Sequence, residues 1–331
     1  MWKDRRVLAS IVLAFLAGGL VGMLFEWRTP VSIAALPALR EPGAHGYTYI
    51  SPLLLCQTND ASQYEEFLPL KGILEQRIEK AHTSGTLSAA SIYIRDLERA
   101  RWVGVNENET YSPASLLKVP VMIAYFKQAE RKPELLSRTF FYQRSPANEN
   151  PLVSSPLLEN GGTYSASELI RGMIVDSDND AKDLLVGALD DRILDETYTD
   201  LGIASPYGEA HPSESAYRIS TKTYALFFRV LYNATLLSRA ESERALALLS
   251  ESRFPKGLRA GIPEDVSLAH KYGIRVASRN PLTIELSDCG IVYSDKPYIL
   301  CVMTRGSDPE KLAEFITGVG KEVHGSMAGG S

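Results

Sequence analysis

A serine and a lysine three residues apart, Ser115 and Lys118, form the pair in this chain whose spacing is best suited to chemistry. Residues three apart on a helix lie on the same face, about one turn from each other. The lysine amine, or a water beside it, can then take the proton of the serine hydroxyl and convert a poor nucleophile into one that attacks acyl groups. Such pairs also arise by chance in chains of this length, so the pair needs support from elsewhere in the sequence.

Two further motifs follow in order along the chain and supply that support. Ser177-Asp178-Asn179 lies in the middle of the chain, and Lys271-Tyr272-Gly273 precedes further β-rich segments near its end. Each motif has an ordinary explanation when taken alone, because Ser is favoured as a helix cap, Ser, Asp and Asn are common in turns, and a lysine can simply end a strand. Lys118 is harder to explain, since a lysine inside the apolar run LLKVPVMIAYF is costly unless it has a purpose.

Hydrophobic periodicity predicts the elements that must position these residues. Ser115–Ala129 is predicted to be a strongly apolar, buried helix, and its Pro120 is tolerated only near a helix start, which places Ser115 at the N-terminus. Further helices are predicted at 67–82, 165–174, 181–189, 221–237, 242–250 and 309–323, and strands at 89–95, 101–105 and in three segments from Ser267 onward.

The order of these elements predicts the fold class. Strands occur near both ends of the domain and helices occupy its middle, so the first and last parts must pair into one antiparallel sheet flanked by helices. The helical middle then forms a second lobe, and a ligand would bind in the cleft between the lobes. We therefore predict an α+β fold with two lobes for residues 63–331.

With their flanking segments, the three motifs resemble the SxxK, SDN and KTG motifs of class A β-lactamases and the closely related penicillin-binding proteins. The segments VDSDNDAKDLL, TKTYALFFRVLYNATLLS and DCGIVYSDKPYILCVMTRG fit this family as well, so that the resemblance covers roughly residues 65 to 325. It implies a β-lactamase-like fold and a serine enzyme that works through an acyl intermediate, with no cofactor. The implied substrate is a β-lactam or a D-alanyl peptide of the cell-wall type.

The resemblance also implies a role for each motif residue. Ser115 would be the acylated nucleophile and Lys118 its proton acceptor, although the identity of the acylation base is disputed within the family. Ser177 would relay a proton to the leaving nitrogen, and Lys271 would place a positive charge near the substrate carboxylate. The substrate-binding residues would be Asn179, Tyr272 and Gly273, where the glycine would let the substrate approach the strand edge.

Two departures from the family pattern affect these expectations. Tyr272 replaces the usual small hydroxyl residue between Lys271 and Gly273, and a tyrosine facing the cleft would alter carboxylate recognition. The family's deacylating glutamate, followed four residues later by asparagine, is also missing, because no asparagine occurs between Asn179 and Asn233. Two candidates for a deacylating acid remain in the corresponding loop, Glu209 and Glu214, and both also fit solvated loop acids. Deacylation is therefore expected to be the weak step.

Composition excludes several other classes of protein. The chain has 331 residues, of which 45% are apolar and 23% charged, and this suits one or two globular domains. A net charge of −5 argues against a nucleic-acid partner. No GxSxG elbow and no Cys/His cluster with metal-ligand spacing occurs, which disfavours a Ser-His-Asp hydrolase and a metal site.

The N-terminal segment predicts the location of the protein. Val7–Phe25 is an uncharged run of 19 residues, long enough to span a bilayer, and basic residues precede it. We predict a membrane anchor over 1–27, a linker over 28–62, and a catalytic domain over 63–331 on the extracytoplasmic side. The alternative is that the same run is a cleaved signal peptide.

Two of the three cysteines, Cys289 and Cys301, fall on two strands of a predicted hairpin and can lie nearly opposite each other. The favoured interpretation is a pair of buried, reduced thiols that act as small hydrophobic residues.

Two functions from different classes fit these patterns. The first is an active acyl-serine hydrolase, a β-lactamase or a slowly deacylating D,D-carboxypeptidase. The second is a membrane-tethered binding protein that retains the fold and has lost productive chemistry, which Tyr272 and the missing Glu/Asn pair favour. The retained Ser115, Lys118 and Ser177 argue for the enzyme.

Overall fold

The computed structural model describes residues 46–52, 65–146, 155–207, 214, 216–279 and 281–329. Its main sheet has five strands in the order β2-β1-β9-β8-β7, and all neighbouring pairs are antiparallel. These strands are β1 (Ala89–Asp96), β2 (Trp102–Val105), β7 (Ser267–Arg279), β8 (Leu282–Tyr293) and β9 (Tyr298–Gly306). The early strand β1 pairs with the late strand β9, as the order of elements predicts.

Helices cover both faces of this sheet. They are α1 (Leu68–Thr83), α2 (Lys118–Ala129), α3 (Ala166–Val175), α4 (Asn179–Val186), α5 (Asp191–Thr199), α6 (Thr221–Tyr232), α7 (Arg239–Ser250), α8 (Leu258–Gly261) and α9 (Pro309–Gly329). Short strands β3 (Thr110–Tyr111) and β6 (Ile219–Ser220) pair with each other, as do β4 (Thr139–Phe141) and β5 (Thr163–Ser165). The α+β class and the two-lobe architecture are confirmed.

The alternation of side chains along the strands divides the core into two clusters. On β1, Ile92 and Ile94 face the terminal helices and pack in one cluster with Leu74 of α1 and Ile316 of α9. Tyr93 faces the opposite side and belongs to the cluster of the helical lobe, which surrounds α2. The sheet therefore separates the terminal helices from the lobe that carries Lys118.

Local capping signals explain where several helices begin. Ser165 accepts a hydrogen bond from the Glu168 backbone at 3.2 Å, and the Glu168 carboxylate accepts one from the Ser165 backbone at 2.7 Å. This capping box starts α3, as predicted. The predicted helix at 221–237 ends earlier, at Tyr232, because Ala234 adopts a positive φ of 49° and cannot continue it.

The prediction of reduced thiols at Cys289 and Cys301 is wrong. The two residues are direct partners in the β8–β9 register, their Cα atoms lie 4.0 Å apart, and a disulfide joins them. Both side chains are fully buried. The hairpin places the two residues nearly opposite each other, as the sequence indicated, and direct opposition brings their Cβ atoms within reach of one bond.

Part of the predicted linker packs on the domain. The backbone N–H groups of Thr48, Tyr49 and Ile50 donate to the Glu243 carboxylate of α7 at 2.6, 2.7 and 3.0 Å. Ile50 is buried in the helical lobe. The described segment 46–52 is therefore held against the domain through α7.

The predicted anchor, Val7–Phe25, and the rest of residues 1–27 lie outside the described residues. Within the described ranges, no helix has the length and apolar character needed to cross a membrane.

Candidate active site

Ser115 lies in a 3-10 turn, Ala114–Leu117, directly before α2 begins at Lys118. Side chains three residues apart nearly eclipse each other in 3-10 geometry, which brings this pair closer than an α-helix would. The distance from Lys118 Nζ to Ser115 Oγ is 3.1 Å. Ala114 has a positive φ of 47°, a strained conformation of the kind that accumulates at functional sites.

Lys118 lies within hydrogen-bonding distance of four acceptors although its side chain is almost completely buried. Besides Ser115, its Nζ lies 3.1 Å from Ser177 Oγ, 2.6 Å from Asn179 Oδ1 and 2.5 Å from the Ser177 carbonyl. Burial lowers the pKa of Lys118 well below its usual value, and the positive charge of Lys271 lowers it further. A neutral amine in this position can accept the proton of Ser115.

The Ser177 loop is held by the neighbouring aspartate. Asp178 Oδ1 accepts a hydrogen bond from the Ala181 backbone at 2.8 Å and so caps α4, while its Oδ2 accepts one from the Tyr142 hydroxyl at 2.7 Å. Ser177 itself has a positive φ of 58°. Asp178 therefore points away from the reacting groups and stabilises the strained loop that presents Ser177 and Asn179 to Lys118.

Lys271 on β7 approaches Ser177 from the opposite side. Its Nζ donates to Ser177 Oγ at 2.8 Å, and its side chain is fully buried. Burial lowers the pKa of Lys271 to about 7, and the negative charge of Asp288 on β8 opposes that effect. The structure thus brings together Ser115, Lys118, Ser177, Asn179 and Lys271.

Tyr272 is placed differently from the predicted substrate-binding residue. Its side chain is 4% exposed and its ring stacks on Phe254, with centroids 4.0 Å apart and an interplanar angle of 13°. Neighbouring residues on a strand point to opposite faces, and because Lys271 faces the site, Tyr272 faces the core on the side of the terminal helices. Its aromatic ring therefore packs in the core instead of contacting a ligand in the cleft.

Glycine is required at position 273 because two protein segments approach each other closely there. A Cβ at this position would lie 2.6 Å from the Pro113 carbonyl oxygen and 3.1 Å from the backbone nitrogen of Ser115. The glycine was predicted to let substrate approach the strand, but the neighbour that requires it is the turn carrying the nucleophile. Gly273 thus sets the distance between β7 and Ser115.

A pocket of about 290 Å³ opens beside Ser115. It is lined by Ser112, Ala114, Ser115, Leu117, Lys118, Asn179, Lys182, Glu214, Ile274 and Arg275. The lining includes basic side chains from two further elements, Lys182 of α4 and Arg275 of β7, which suits a substrate that carries negative charge. Among the described residues, no group of three or more His, Cys, Asp or Glu side chains is placed to hold a metal ion.

Of the two predicted deacylating acids, Glu214 lines the pocket and Glu209 lies outside the described residues. Glu214 Oε2 lies 2.8 Å from Lys182 Nζ, and its Oε1 accepts a hydrogen bond from the Tyr207 hydroxyl at 2.9 Å. Both oxygens of the carboxylate therefore already have protein donors.

The sequence motifs do not include the two charged pocket residues Lys182 and Arg275. Lys182 lies three positions after Asn179 on α4, a spacing that shares a helix face and could have identified it. Arg275 follows Gly273 by two positions on β7, and the same alternation that selects Lys271 and Gly273 could have included it. Its Nη1 donates to Ser112 Oγ at 3.2 Å.

Comparisons with known proteins agree with this geometry. The profile of the beta-lactamase enzyme family matches residues 73–327. No curated protein matches the sequence significantly.

Solved structures share the fold at low sequence identity. The structure of PBP-A is 20% identical over 77% of this chain and 96% of its own, with a TM-score of 0.62. A beta lactamase from Xanthomonas campestris pv. campestris is 19% identical over 77% of this chain and 97% of its own, with a TM-score of 0.62. The TLA-1 extended spectrum beta-lactamase is 19% identical over 78% and 99%, with a TM-score of 0.65. The family profile spans well over half of the sequence, and the chain belongs to the beta-lactamase enzyme family, as a serine hydrolase that acts on amides.

Proposed function

We propose that this protein opens a β-lactam amide, or cleaves a D-alanyl peptide of the cell-wall type, through an acyl-Ser115 intermediate that it releases slowly. The observation that supports acylation best is the continuous set of contacts from Ser115 Oγ to Lys118 Nζ, to Ser177 Oγ and to Lys271 Nζ. Each contact is 3.1 Å or shorter, so one proton can move along the set without rearrangement of the site.

Acylation follows from these contacts. The neutral amine of Lys118 takes the proton of Ser115 Oγ as that oxygen attacks the substrate carbonyl carbon. Backbone N–H groups of Ser115 and of β7 stabilise the resulting oxyanion. Ser177 passes its proton to the leaving nitrogen and is resupplied by Lys118, while Lys271 donates to Ser177 Oγ and attracts the substrate carboxylate. The carbonyl–nitrogen bond breaks and the acyl group stays on Ser115.

The contacts of Glu214 support slow release of the acyl group. A carboxylate that already accepts hydrogen bonds from Lys182 and Tyr207 is poorly available to take a proton from water. The proposed enzyme therefore resembles a penicillin-binding protein in its kinetics more than an efficient β-lactamase. A catalytically impaired binding protein of the same fold is the second candidate, and the burial of Tyr272 away from the pocket removes one argument for it.

We further propose that the catalytic domain lies outside the cytoplasmic membrane, anchored by Val7–Phe25. The buried disulfide between Cys289 and Cys301 supports this location, because disulfides persist in oxidising compartments. Fractionation of expressing cells, with protease added from outside, tests the proposal. Full-length protein in the membrane fraction that is digested from outside supports it, and protein retained in the soluble cytoplasmic fraction contradicts it.

Intact-mass spectrometry of residues 46–331 with a penicillin, a cephalosporin and a D-Ala-D-Ala peptide tests the enzymatic proposal. A stable adduct that is absent from Ser115→Ala supports slow release, and a transient adduct with consumption of penicillin indicates an efficient β-lactamase. No adduct and no consumption with any of the three compounds would favour the binding protein.

A further inference from the structure

Arg275 of β7 lines the pocket beside Ser115, and the steps of acylation described above do not use it. Alternate residues of a strand point to the same face, and the pairing of β7 with β8 is regular as far as Val276. Arg275 therefore lies on the same face of the sheet as Lys271, and its side chain is partly exposed. Its Nη1 donates to Ser112 Oγ at 3.2 Å. The guanidinium thus lies beside the turn that carries the nucleophile.

A buried carboxylate fixes this wall of the pocket. Glu285 of β8 lies between Arg275 and Arg305 in the registers of β7, β8 and β9. Its side chain is 2% exposed, its Oε1 accepts from Arg305 Nε at 2.9 Å, and its Oε2 accepts from the Ser112 backbone at 2.9 Å. One carboxylate therefore joins β9 to the backbone of Ser112, and the acceptor of the Arg275 N–H is held in place.

The charges of this cluster favour an anion in the pocket. Arg218 Nη1 lies 3.7 Å from Glu285 Oε2, and Arg305 Nη1 lies 3.0 Å from Glu109 Oε1. With Arg275, the cluster contains three arginines and two glutamates, and so has one excess positive charge. Arg275 is the arginine of the three that lines the pocket. Excess positive charge beside a cleft raises the local concentration of an anionic substrate.

Two lysines near the pocket are less suited to contact an anionic group directly. Lys271 is fully buried and donates to Ser177 Oγ at 2.8 Å, so its charge acts from behind that serine. Lys182 lines the pocket, but its Nζ lies 2.8 Å from Glu214 Oε2 and 3.4 Å from Asp183 Oδ1. Two carboxylates thus offset the charge of Lys182.

The guanidinium of Arg275 also has the chemistry that a carboxylate requires. It presents N–H donors in a planar fork that matches two carboxylate oxygens, and it stays charged throughout the pH range of enzyme assays. Tyr272, which stands where the family has a small hydroxyl residue, packs on Phe254 in the core and does not line the pocket. Arg275 can therefore supply the contact that the missing hydroxyl would make.

We propose that Arg275 is the specificity-determining residue of this site, which binds the substrate carboxylate directly and is held in position by Ser112. The proposal rests on the proposed function, because it takes the ligand to be a substrate that reacts at Ser115. It leaves to Lys271 the orientation of Ser177 and a longer-range attraction for the same carboxylate.

Benzylpenicillin and its methyl ester test this assignment, because they differ in the charge of one group. Calorimetry measures the binding of both compounds to the full-length chain with Ser115→Ala, so that acylation does not interfere. The ratio of the two dissociation constants gives the preference for the carboxylate. Circular dichroism establishes that each further variant is folded. In the same background the variants are Arg275→Met, Arg275→Lys, Ser112→Ala and Lys182→Met, with Arg192→Met as the control.

Arg275→Met is expected to weaken penicillin binding by about 10–100-fold and to leave binding of the ester nearly unchanged, as for the loss of a hydrogen bond between charged groups. Arg275→Lys keeps the charge without the fork and should lose less. Ser112→Ala frees the guanidinium and should reduce the preference by a smaller factor. Lys182→Met and Arg192→Met should retain it, and the Arg192 side chain is 85% exposed on α5. A merely structural role of Arg275 would weaken both compounds equally.

The outcomes separate this proposal from the proposed function. If folded Arg275→Met retains the preference, or if Lys182→Met loses it, the assignment to Arg275 is overturned, and Arg275→Lys decides if Arg275→Met does not fold. Binding of neither compound to Ser115→Ala also overturns it. An unchanged preference in Ser112→Ala overturns the part given to Ser112. If penicillin binding depends on Arg275 but the unaltered chain gains no penicillin adduct by intact mass, the proposed function fails and the carboxylate site stands.

Discussion

Lys118 and Lys271 come from different elements and meet at one oxygen, the hydroxyl of Ser177, at 3.1 and 2.8 Å. Two buried ammonium groups at this separation repel each other, and each has already lost its hydration. The lower-energy arrangement has one charged and one neutral lysine. Burial and the charge of Lys271 both lower the pKa of Lys118, so we expect Lys118 to be the neutral one.

This division predicts a bell-shaped pH dependence for acylation. The rate rises with pH as Lys118 loses its proton, and it falls as pH passes about 7, where Lys271 loses the ammonium that orients Ser177. Rapid-mixing measurement of penicillin acylation across the pH range checks this expectation. A rate that continues to rise well above the pKa of Lys271 would show that its charge is not required.

Replacing Lys118 with methionine should abolish acylation and stabilise the fold. Because the pKa of Lys118 is lower in the folded chain than its usual 10.5, the unfolded chain binds more protons between these two values. The free-energy cost of burying the ammonium is therefore fully present below that interval, and the stability of the fold rises with pH through it. We expect Lys118→Met to raise the free energy of unfolding at neutral pH, and this gain to shrink as the pH approaches 10.5.

Urea unfolding at neutral pH and near pH 10 measures this effect. Lys132→Met is the matched control, because Lys132 is exposed and its replacement should change stability little. If Lys118→Met destabilises the protein, the contacts of the ammonium outweigh its burial and the neutral assignment of Lys118 is wrong.

The contact between Gly273 and the Ser115 turn predicts a large effect from one added methyl group. Gly273→Ala places a Cβ 2.6 Å from the Pro113 carbonyl, and relieving that clash must move β7 away from Ser115. We expect a loss of about 1–3 kcal/mol in stability and a marked fall in acylation rate. Thermal melting and intact-mass kinetics provide the two measurements.

Gly72→Ala is the control for this variant. Gly72 lies within α1 with open space around it, so alanine there should stabilise the helix by about 0.5–1 kcal/mol without changing acylation. Unchanged acylation in Gly273→Ala would mean that the close approach of β7 is not needed for the reaction.

The fold could be predicted from local patterns, whereas the site residues were expected from the resemblance of three motifs, in order, to a known family. The apolar run around Lys118 requires a buried helix, and the order of strands requires the pairing of β1 with β9. The function of Gly273 and the burial of Tyr272 could not be predicted, since they depend on which distant segment approaches each face of β7. The disulfide could not be predicted either, because it depends on the exact register of β8 with β9.

Restoring the family's hydroxyl at Tyr272 should harm the protein instead of improving substrate recognition. Tyr272→Thr removes the stacking on Phe254 and leaves a cavity, for which we expect a loss of about 2–4 kcal/mol. Tyr272→Phe keeps the ring and should retain most of the stability. Calorimetry of both variants checks this, and a Tyr272→Thr protein with full stability and faster acylation would place position 272 in substrate recognition after all.

The contacts of Glu214 predict how little it contributes to release of the acyl group. Its two oxygens face Lys182 and Tyr207, so Glu214→Gln should change the lifetime of the acyl-enzyme far less than the roughly 100-fold or more expected when a general base is lost. Lys182→Met is the informative companion variant, because it removes the ammonium from Glu214 and frees the carboxylate to take a proton from water. We expect this variant to shorten the lifetime, measured as decay of the penicillin adduct by intact mass. A large increase in lifetime in Glu214→Gln alone would instead identify Glu214 as the working base of the unaltered enzyme.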